Sequence, residues 1–154
     1  MRKLLVIDVQ KQFKDENGGY ENCLSFIKES DYNEIYATVF TQTLNGEVNC
    51  NYKDKINWER CLHCSENDLE FNADKIILKN GYGIKNIENI FNKNDKIDVI
   101  GCNIDACVMA ICFQLWDMGI DFRILTDYVY TTSKDFSKND IIKIMKPNFG
   151  KCII

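Results

Sequence analysis

Apolar and polar residues alternate along the chain in blocks of strand and helix length. Four runs rich in Ile, Leu and Val predict strands buried on both faces, and two further runs extend the series: residues 3–8, 34–41, 75–79, 96–101, 121–126 and 151–154. Segments 84–91 and 107–118 carry apolar residues at helical spacing. This alternation predicts an α/β fold with a mostly parallel sheet and helices on both faces, a three-layer α/β/α Rossmann-like sandwich.

The length and charge of the chain narrow the possibilities. Its 154 residues, 45% of them hydrophobic, are enough for one domain with a substantial core, so we expect a single domain over residues 1–154. The formal net charge of -4 disfavours nucleic acid and anionic membrane as partners, because both require a basic surface. A small, neutral or polar molecule is the partner that this composition favours.

The cysteines and the N-terminal sequence indicate a reducing compartment. The first apolar run is interrupted by Asp8 and Gln10 before it reaches the length of a signal peptide, and no other run approaches a membrane span. We therefore expect a cytoplasmic protein whose eight cysteines are reduced thiols. Cys23, Cys102 and Cys112 lie in apolar periodic surroundings and are expected to be small core residues.

Cys107 follows a buried strand and a tight turn, at the start of the helix predicted for 107–118. The free backbone N–H groups and the positive end of the helix dipole stabilise an anion at such a position. We therefore expect a reactive thiol with a lowered pKa. The same N–H groups can stabilise a developing oxyanion.

Two further reactive side chains, Asp8 and Lys79, end predicted strands. In parallel α/β sheets ligands bind outside the carboxyl ends of the strands, so Asp8, Lys79 and Cys107 are expected to meet there. A cysteine nucleophile needs a base, a cation and a proton donor, and these three residues supply those roles. Taken alone, each residue type is more often structural: a strand-end aspartate is usually a cap, a lysine is usually solvated and a cysteine often packs in the core.

Five segments match the motifs of one known family in order and spacing. They are LVIDVQKQF at 5–13, KNGY at 79–82, GCNIDACV at 101–108, WDMG at 116–119 and MKPNFG at 145–150. In these motifs the chain resembles the isochorismatase-like cysteine hydrolases, a family that includes the nicotinamidases, over nearly its whole length. The resemblance implies the isochorismatase-like hydrolase fold. We call residues 101–108 the nucleophile turn.

The resemblance also implies a covalent mechanism. Asp8 takes the thiol proton of Cys107 and later gives it to the leaving amine, while Lys79 stabilises the anionic centre. The thiolate attacks the carbonyl group of a small amide and forms an acyl-enzyme that water hydrolyses. The family pattern further implies a cis peptide bond between Cys102 and Asn103, which directs the N–H groups of Asn103 and Cys107 at the oxyanion.

The chain departs from the family pattern at two places. Ile104 replaces a threonine that relatives commonly carry in the nucleophile turn. Nicotinamidases also hold a metal with one aspartate and several histidines, whereas the approximate counterparts here are Thr43 and Asn45, and His63 is the only histidine. We therefore expect no metal and no other cofactor, and nicotinamide is disfavoured as the substrate.

Three aromatic residues are the expected walls of the substrate pocket: Phe13, Trp58 and Tyr82. Core packing is the alternative for Phe13, and a loop anchor or a subunit contact is the alternative for Trp58. Segment 42–74 is polar, lacks periodicity and is long for a connection, which predicts a cover over the active site. Because members of the family often assemble, we also expect a homo-oligomer.

Other interpretations of the same residues stay open. Cys50, Cys61, His63 and Cys64 are the residue types of a structural zinc site, although their spacing is poor and a plain loop is favoured.

A glycine-rich segment and the fold itself allow two more interpretations. Segment 79–86 partly matches a dinucleotide-binding turn, but Asn86 replaces its third glycine. The chain is alternatively a catalytically silent binding or scaffolding module, although such a module has no evident need for Asp8, Lys79 and Cys107 together.

Overall fold

The computed structural model describes residues 1–45, 47–49, 51, 64 and 68–154. The strands in this part of the chain are β1 (Lys3–Ile7), β2 (Ile35–Phe40), β3 (Thr43–Leu44), β4 (Glu47–Val48), β5 (Lys75–Lys79), β6 (Lys96–Gly101) and β7 (Asp121–Val129). Five of them form one sheet in the order β5-β2-β1-β6-β7, in which every neighbouring pair is parallel. The predicted parallel α/β sheet is therefore confirmed, and β3 and β4 form a separate antiparallel ribbon.

Helices cover both faces of this sheet, as predicted. Helix α1 (Gly19–Glu29) packs on one face, and helices α2 (Met109–Asp117) and α3 (Lys138–Phe149) pack on the other. Strand β1 shows how one sequence serves both layers. Leu4 and Val6 face the core under α1, whereas Leu5 and Ile7 face the core under α2 and α3, and none of these four side chains contacts solvent.

The helix predicted for 84–91 is wrong. The segment contains only a single 3-10 turn, Ile87–Asn89. Asn86 adopts a left-handed conformation with φ of 54°, which an α-helix cannot continue through. Ile84 and Phe91 are nevertheless buried in the core. The spacing of apolar residues thus predicted correctly that this segment packs in the core, but the segment is a loop and not a helix.

The C-terminus and two helices also differ from the prediction. Residues 150–152 form a 3-10 turn, and the predicted strand at 151–154 is reduced to one parallel bridge between Ile153 and Ile124. Helices α1 and α3 were not predicted. The apolar residues of α1 are separated by polar ones, and Pro147 lies inside α3, where a proline usually ends a helix.

Several residues named above lie outside the described part of the chain: Cys50, Trp58, Cys61 and His63. Much of the predicted cover, segment 42–74, also lies outside it. Cys64 is described, and its side chain is buried in the apolar core under α1. Within the described part, no helix combines the length and the apolar character that crossing a bilayer requires.

The strand order places a crevice at the middle of the sheet. The chain adds β2 and then β5 on one side of β1, and later adds β6 and β7 on the other side. The connections therefore leave β1 and β6 in opposite directions, which opens a crevice outside their carboxyl ends. Asp8 follows β1 and the nucleophile turn follows β6, so both lie at this crevice.

Gly101 fixes the distance between these two strand ends. Its φ is +116°, a conformation that glycine adopts far more readily than other residues. A Cβ atom at this position would lie 2.1 Å from the carbonyl oxygen of Ile7. The same carbonyl oxygen accepts the N–H of Cys102 at 2.8 Å. Gly101 thus allows the nucleophile turn to start directly beside the end of β1.

Gly101→Ala is expected to lower the free energy of unfolding by more than about 3 kcal/mol, because the new methyl group meets backbone atoms of β1. Gly119→Ala is the matched control, since Gly119 also has a positive φ, 69°, but has open space where its Cβ would lie. The control is expected to lose only about 1–2 kcal/mol. Urea denaturation followed by circular dichroism measures both, and equal losses would contradict the close approach at Gly101.

Candidate active site

Lys79 joins the two sides of the crevice. It ends β5, which is two strands away from β1, a separation of about 10 Å at the usual strand spacing. The side chain lies across β2, where its Nζ is 5.4 Å from the ring centroid of Phe40. Nζ reaches Asp8 Oδ2 at 2.7 Å and Cys107 Sγ at 3.3 Å. The three residues predicted from the strand ends therefore meet at one ammonium group.

The ammonium group of Lys79 has three close acceptors. Besides its ion pair with Asp8 and its hydrogen bond to Cys107, it donates to the carbonyl oxygen of Gly81 at 2.9 Å. The side chains of Lys79 and Asp8 are only 1% and 2% exposed. Burial is the largest single influence and would lower the pKa of Lys79, but the charges and hydrogen bonds of Asp8 and Cys107 together outweigh it, so the pKa lies above its ordinary value. Lys79 is a fixed positive charge in this site.

The prediction of a lowered pKa for Cys107 is wrong. Burial raises the pKa of this thiol to about 12; the charge of Lys79 opposes that rise, and the nearby carboxylate of Asp8 adds to it. The start of a helix lowers the pKa of a nearby thiol only weakly. The loss of water around the almost completely buried sulfur of Cys107 raises its pKa by more. The resting site therefore holds a neutral thiol beside an ion pair.

The nucleophile turn is wound more widely than an α-helix. Residues 104–108 form a π-helical turn that leads into α2, and the peptide bond between Cys102 and Asn103 is cis. The carbonyl oxygen of Asn103 accepts the N–H groups of Ala106 and Val108, at 3.0 and 3.1 Å, but not the N–H of Cys107 between them. The wide turn thus separates the Cys107 N–H from the partner that an α-helix would give it.

The segment that follows β7 contacts the other side of the nucleophile turn. The carbonyl oxygen of Tyr130 accepts the N–H of Ile104 at 2.9 Å, and the side-chain oxygen of Asn103 accepts the N–H of Thr132 at 2.8 Å. Both bonds fix Asn103 from the residues that follow β7. The backbone of Asn103 therefore lies at a set position beside Cys107.

A small cavity lies against the thiol. Its walls are the side chains or backbone of six residues: Asp8, Phe13, Phe40, Cys102, Asn103 and Cys107. Its volume is about 10 Å³, which is about the space that one water molecule requires. Of the two predicted pocket residues in the described part of the chain, Phe13 lines it, with its ring edge-on to that of Phe40 at 6.2 Å.

The other predicted pocket residue in the described part of the chain, Tyr82, lies elsewhere. It lines a separate, more open apolar pocket on the outer side of the nucleophile turn, together with Ala106, Met109 and Phe113. Tyr82 is 37% exposed there. The third predicted wall, Trp58, lies outside the described residues.

Two buried polar residues at the site were missed by the sequence argument. Thr38, in the middle of β2, bonds to Asp8. Gln10 has no exposed surface and pairs with the backbone of Phe40, whose N–H it accepts at 2.7 Å and whose carbonyl oxygen it bonds at 3.0 Å. The position of Gln10 two residues after Asp8 was part of the family motif. Thr38 belongs to no such motif, and a threonine inside an apolar run does not indicate a functional residue.

The residues around the cavity do not fit a metal centre. Asp8 is their only carboxylate, and its oxygens bond to Lys79 and Thr38. Thr43 and Asn45 lie beyond β2, where both are exposed. In the described residues, no cluster of three or more His, Cys, Asp or Glu side chains is placed to hold an ion. The expectation of a metal-free site stays a prediction, because His63 is outside this part of the chain.

Lys79→Met is expected to lower the free energy of unfolding by about 3–5 kcal/mol, because the Asp8 carboxylate then stays buried without its partner. Adding Asp8→Asn removes the orphaned charge, so the double variant is expected to be more stable than Lys79→Met alone. Urea denaturation gives the free energy of unfolding of the wild type and of both variants.

Lys143→Met is the control for this cycle, since it breaks an exposed pair with Asp140 at 3.2 Å. Its expected effect is below about 0.5 kcal/mol. If Lys79→Met cost no more than this control, the ion pair would not have the buried character described above.

Known protein structures resemble this one, whereas no family model and no curated protein matches the sequence. An isochorismatase-like hydrolase from Alkaliphilus metalliredigens is 13% identical, with a TM-score of 0.69 over 95% of this chain and 91% of its own. The yeast nicotinamidase Pnc1p is 15% identical, with a TM-score of 0.66 over 100% of this chain and 99% of its own. A MAR1 ribonuclease from Caenorhabditis elegans is 17% identical, with a TM-score of 0.62 over 95% of this chain and 72% of its own. At these identities the likeness concerns architecture, and the chain has the fold of the isochorismatase-like hydrolases.

Proposed function

We propose that the chain is a cysteine-dependent hydrolase that cleaves the C–N bond of a small amide. The observation that carries this proposal is the convergence of Cys107 Sγ and Asp8 Oδ2 on the ammonium group of Lys79, at 3.3 and 2.7 Å, beside one small cavity. A nucleophile, a base and a fixed cation are the groups that acyl transfer requires. The likeness to solved hydrolases of this fold supports the same assignment.

In the first half of the reaction, the Asp8 carboxylate removes the thiol proton as the sulfur of Cys107 bonds to the amide carbon. The carbonyl oxygen takes the negative charge, and the N–H groups of Asn103 and Cys107 are the donors proposed to hold it. Asp8 then gives its proton to the amide nitrogen. The C–N bond breaks, the amine leaves, and the acyl group stays on Cys107 as a thioester.

In the second half, water attacks the thioester while Asp8 takes one of its protons. The carboxylic acid leaves, and the sulfur departs as a thiolate that takes the proton back from Asp8. Lys79 keeps its charge throughout and stabilises whichever neighbour is negative. The raised pKa of Cys107 fits this scheme, because the proton then leaves the sulfur only when the new bond to carbon forms.

The cavity favours a small acyl group. Its walls beside the thiol are Phe13 and Phe40, and Gln10 bonds to both backbone groups of Phe40. A wall that is held in this way leaves little room for a ring the size of nicotinamide. We therefore infer that amides with a short acyl chain are better substrates than aromatic amides.

A catalytically silent binding module is the second candidate, and it uses the same cavity without turnover. Ribonuclease activity, which belongs to one of the similar structures, is disfavoured here because the formal net charge of -4 opposes binding of a polyanion. A test of turnover separates the hydrolase from the module.

Cys107→Ala is expected to abolish ammonia release from a panel of formamide, acetamide, propionamide and nicotinamide. Cys152→Ser is the matched control, because Cys152 is a half-buried thiol at the far end of the chain and should retain the wild-type rate. A coupled ammonia assay measures turnover, and intact mass detects the acyl adduct on the wild type. Release that persists in Cys107→Ala, or no release and no adduct in the wild type, would contradict the proposal.

Activity is also expected to be unchanged by a chelator, since the residues around the cavity do not fit a metal. The assay is repeated after dialysis against EDTA and again after addition of zinc, manganese or iron(II). Loss of activity in the chelator that a divalent metal restores would overturn the metal-free mechanism.

A further inference from the structure

The hydroxyl group of Thr38 makes two contacts with Asp8. It donates to Asp8 Oδ1 at 2.6 Å and accepts the backbone N–H of Asp8 at 3.1 Å. Thr38 has no exposed surface, and it lies directly opposite Ile7 in the parallel pairing of β1 with β2. The hydroxyl therefore meets Asp8 inside the protein, where no water competes for the bond.

These contacts divide the two oxygens of the carboxylate between two partners. Oδ1 is held by Thr38, and Oδ2 is held by Lys79 at 2.7 Å. Asp8 itself has a positive φ of 50°, a conformation that aspartate tolerates better than most residues and that ends β1. Between them, the two partners fix the orientation of the carboxylate toward Cys107.

Besides the Cys107 thiol, two further polar side chains in the described part of the chain contact Asp8, and neither of them distinguishes the carboxylate from the thiol as Thr38 does. Lys79 from β5 contacts both Asp8 and Cys107, so its charge stabilises either anion. The thiol of Cys102 donates to the backbone oxygen of Asp8 at 3.3 Å, not to the carboxylate. Thr38 thus supplies a hydrogen bond that reaches the carboxylate of Asp8 and not the thiol of Cys107.

We propose that Thr38 is a positioning residue that sets where the proton shared by Asp8 and Cys107 rests. Its donated hydrogen bond reaches the carboxylate and not the thiol, so it biases the shared proton toward the sulfur of Cys107 until a substrate is bound. This inference deepens the proposed function and rests on it, because it presumes that Asp8 and Cys107 exchange a proton.

The pH dependence of Cys107 alkylation reports this resting position. In a carboxylate–thiol pair that shares one proton, a small fraction of the sulfur is always thiolate, balanced by a protonated carboxylate. The rate with iodoacetamide therefore rises along an acid limb as Asp8 ionises, stays level, and rises again when the thiol itself ionises. The acid limb and the level region both depend on how strongly the carboxylate holds a proton.

Thr38→Val removes the hydroxyl but keeps the branched shape, and the Asp8 N–H retains the carbonyl oxygen of residue 38 at 3.3 Å. Without the donated bond, the acid limb is expected to move up by about one pH unit and the level rate to increase about tenfold. The two shifts should match, because both measure the same hydrogen bond. Thr38→Ser keeps the hydroxyl and is expected to retain the wild-type profile.

The measurement uses peptide mass spectrometry, so that Cys107 is followed separately from the other thiols, and circular dichroism checks that each variant is folded. An unchanged profile in Thr38→Val, or equal shifts in Thr38→Val and Thr38→Ser, would overturn the role of the hydroxyl.

Asp8→Asn separates this inference from the proposed function. In that variant the acid limb and the level region are expected to disappear, leaving a single rise with pH. A wild-type profile that already lacks them, or a Cys107 that iodoacetamide does not label at any pH, would contradict the proposed function and with it the role of Thr38. A profile that responds to Asp8→Asn but not to Thr38→Val would overturn the inference about Thr38 alone.

Discussion

The buried ion pair between Asp8 and Lys79 is the interaction on which the rest of the site depends. Moving two charges out of water costs several kcal/mol for each, and an apolar pair of similar volume is often at least as stable. Thr38 bonds to the carboxylate of this pair, and Gly81 and Cys107 bond to its ammonium group, which offsets part of that cost. Such an arrangement contributes little to stability, but it places a fixed charge beside the thiol of Cys107.

The geometry of the sheet explains which parts of this site the sequence predicts. Asp8, Lys79 and Cys107 end or follow apolar runs, and the parallel pairing of those runs brings their ends to one edge. The same reasoning cannot find Thr38, because one hydroxyl in an apolar strand looks like any other strand residue. Its importance comes from its register opposite Ile7, which only the paired strands define.

Burial explains the errors. Ile84 and Phe91 have helical spacing, yet a loop that contains a left-handed Asn86 buries both of them. The pKa of Cys107 was expected to fall because local sequence places it near a helix start, but the surrounding core and Asp8 raise it. In both cases the local sequence pattern is present, but contacts with residues far along the chain determine the conformation of the loop and the pKa of the thiol.

The sheet order also links catalysis to folding. Thr38 lies 30 positions from Asp8 in the sequence, and Cys102 lies 94 positions from it, yet both contact Asp8 across paired strands. Contacts of such long range form slowly, because loop closure must precede them. A chain that has collapsed and formed its helices, but has not yet added β6 to β1, would contain Asp8, Lys79 and Cys107 without the contacts that bring them together. Recovery of a reactive Cys107 after dilution from denaturant would therefore mark completion of the central sheet, later than recovery of helical signal.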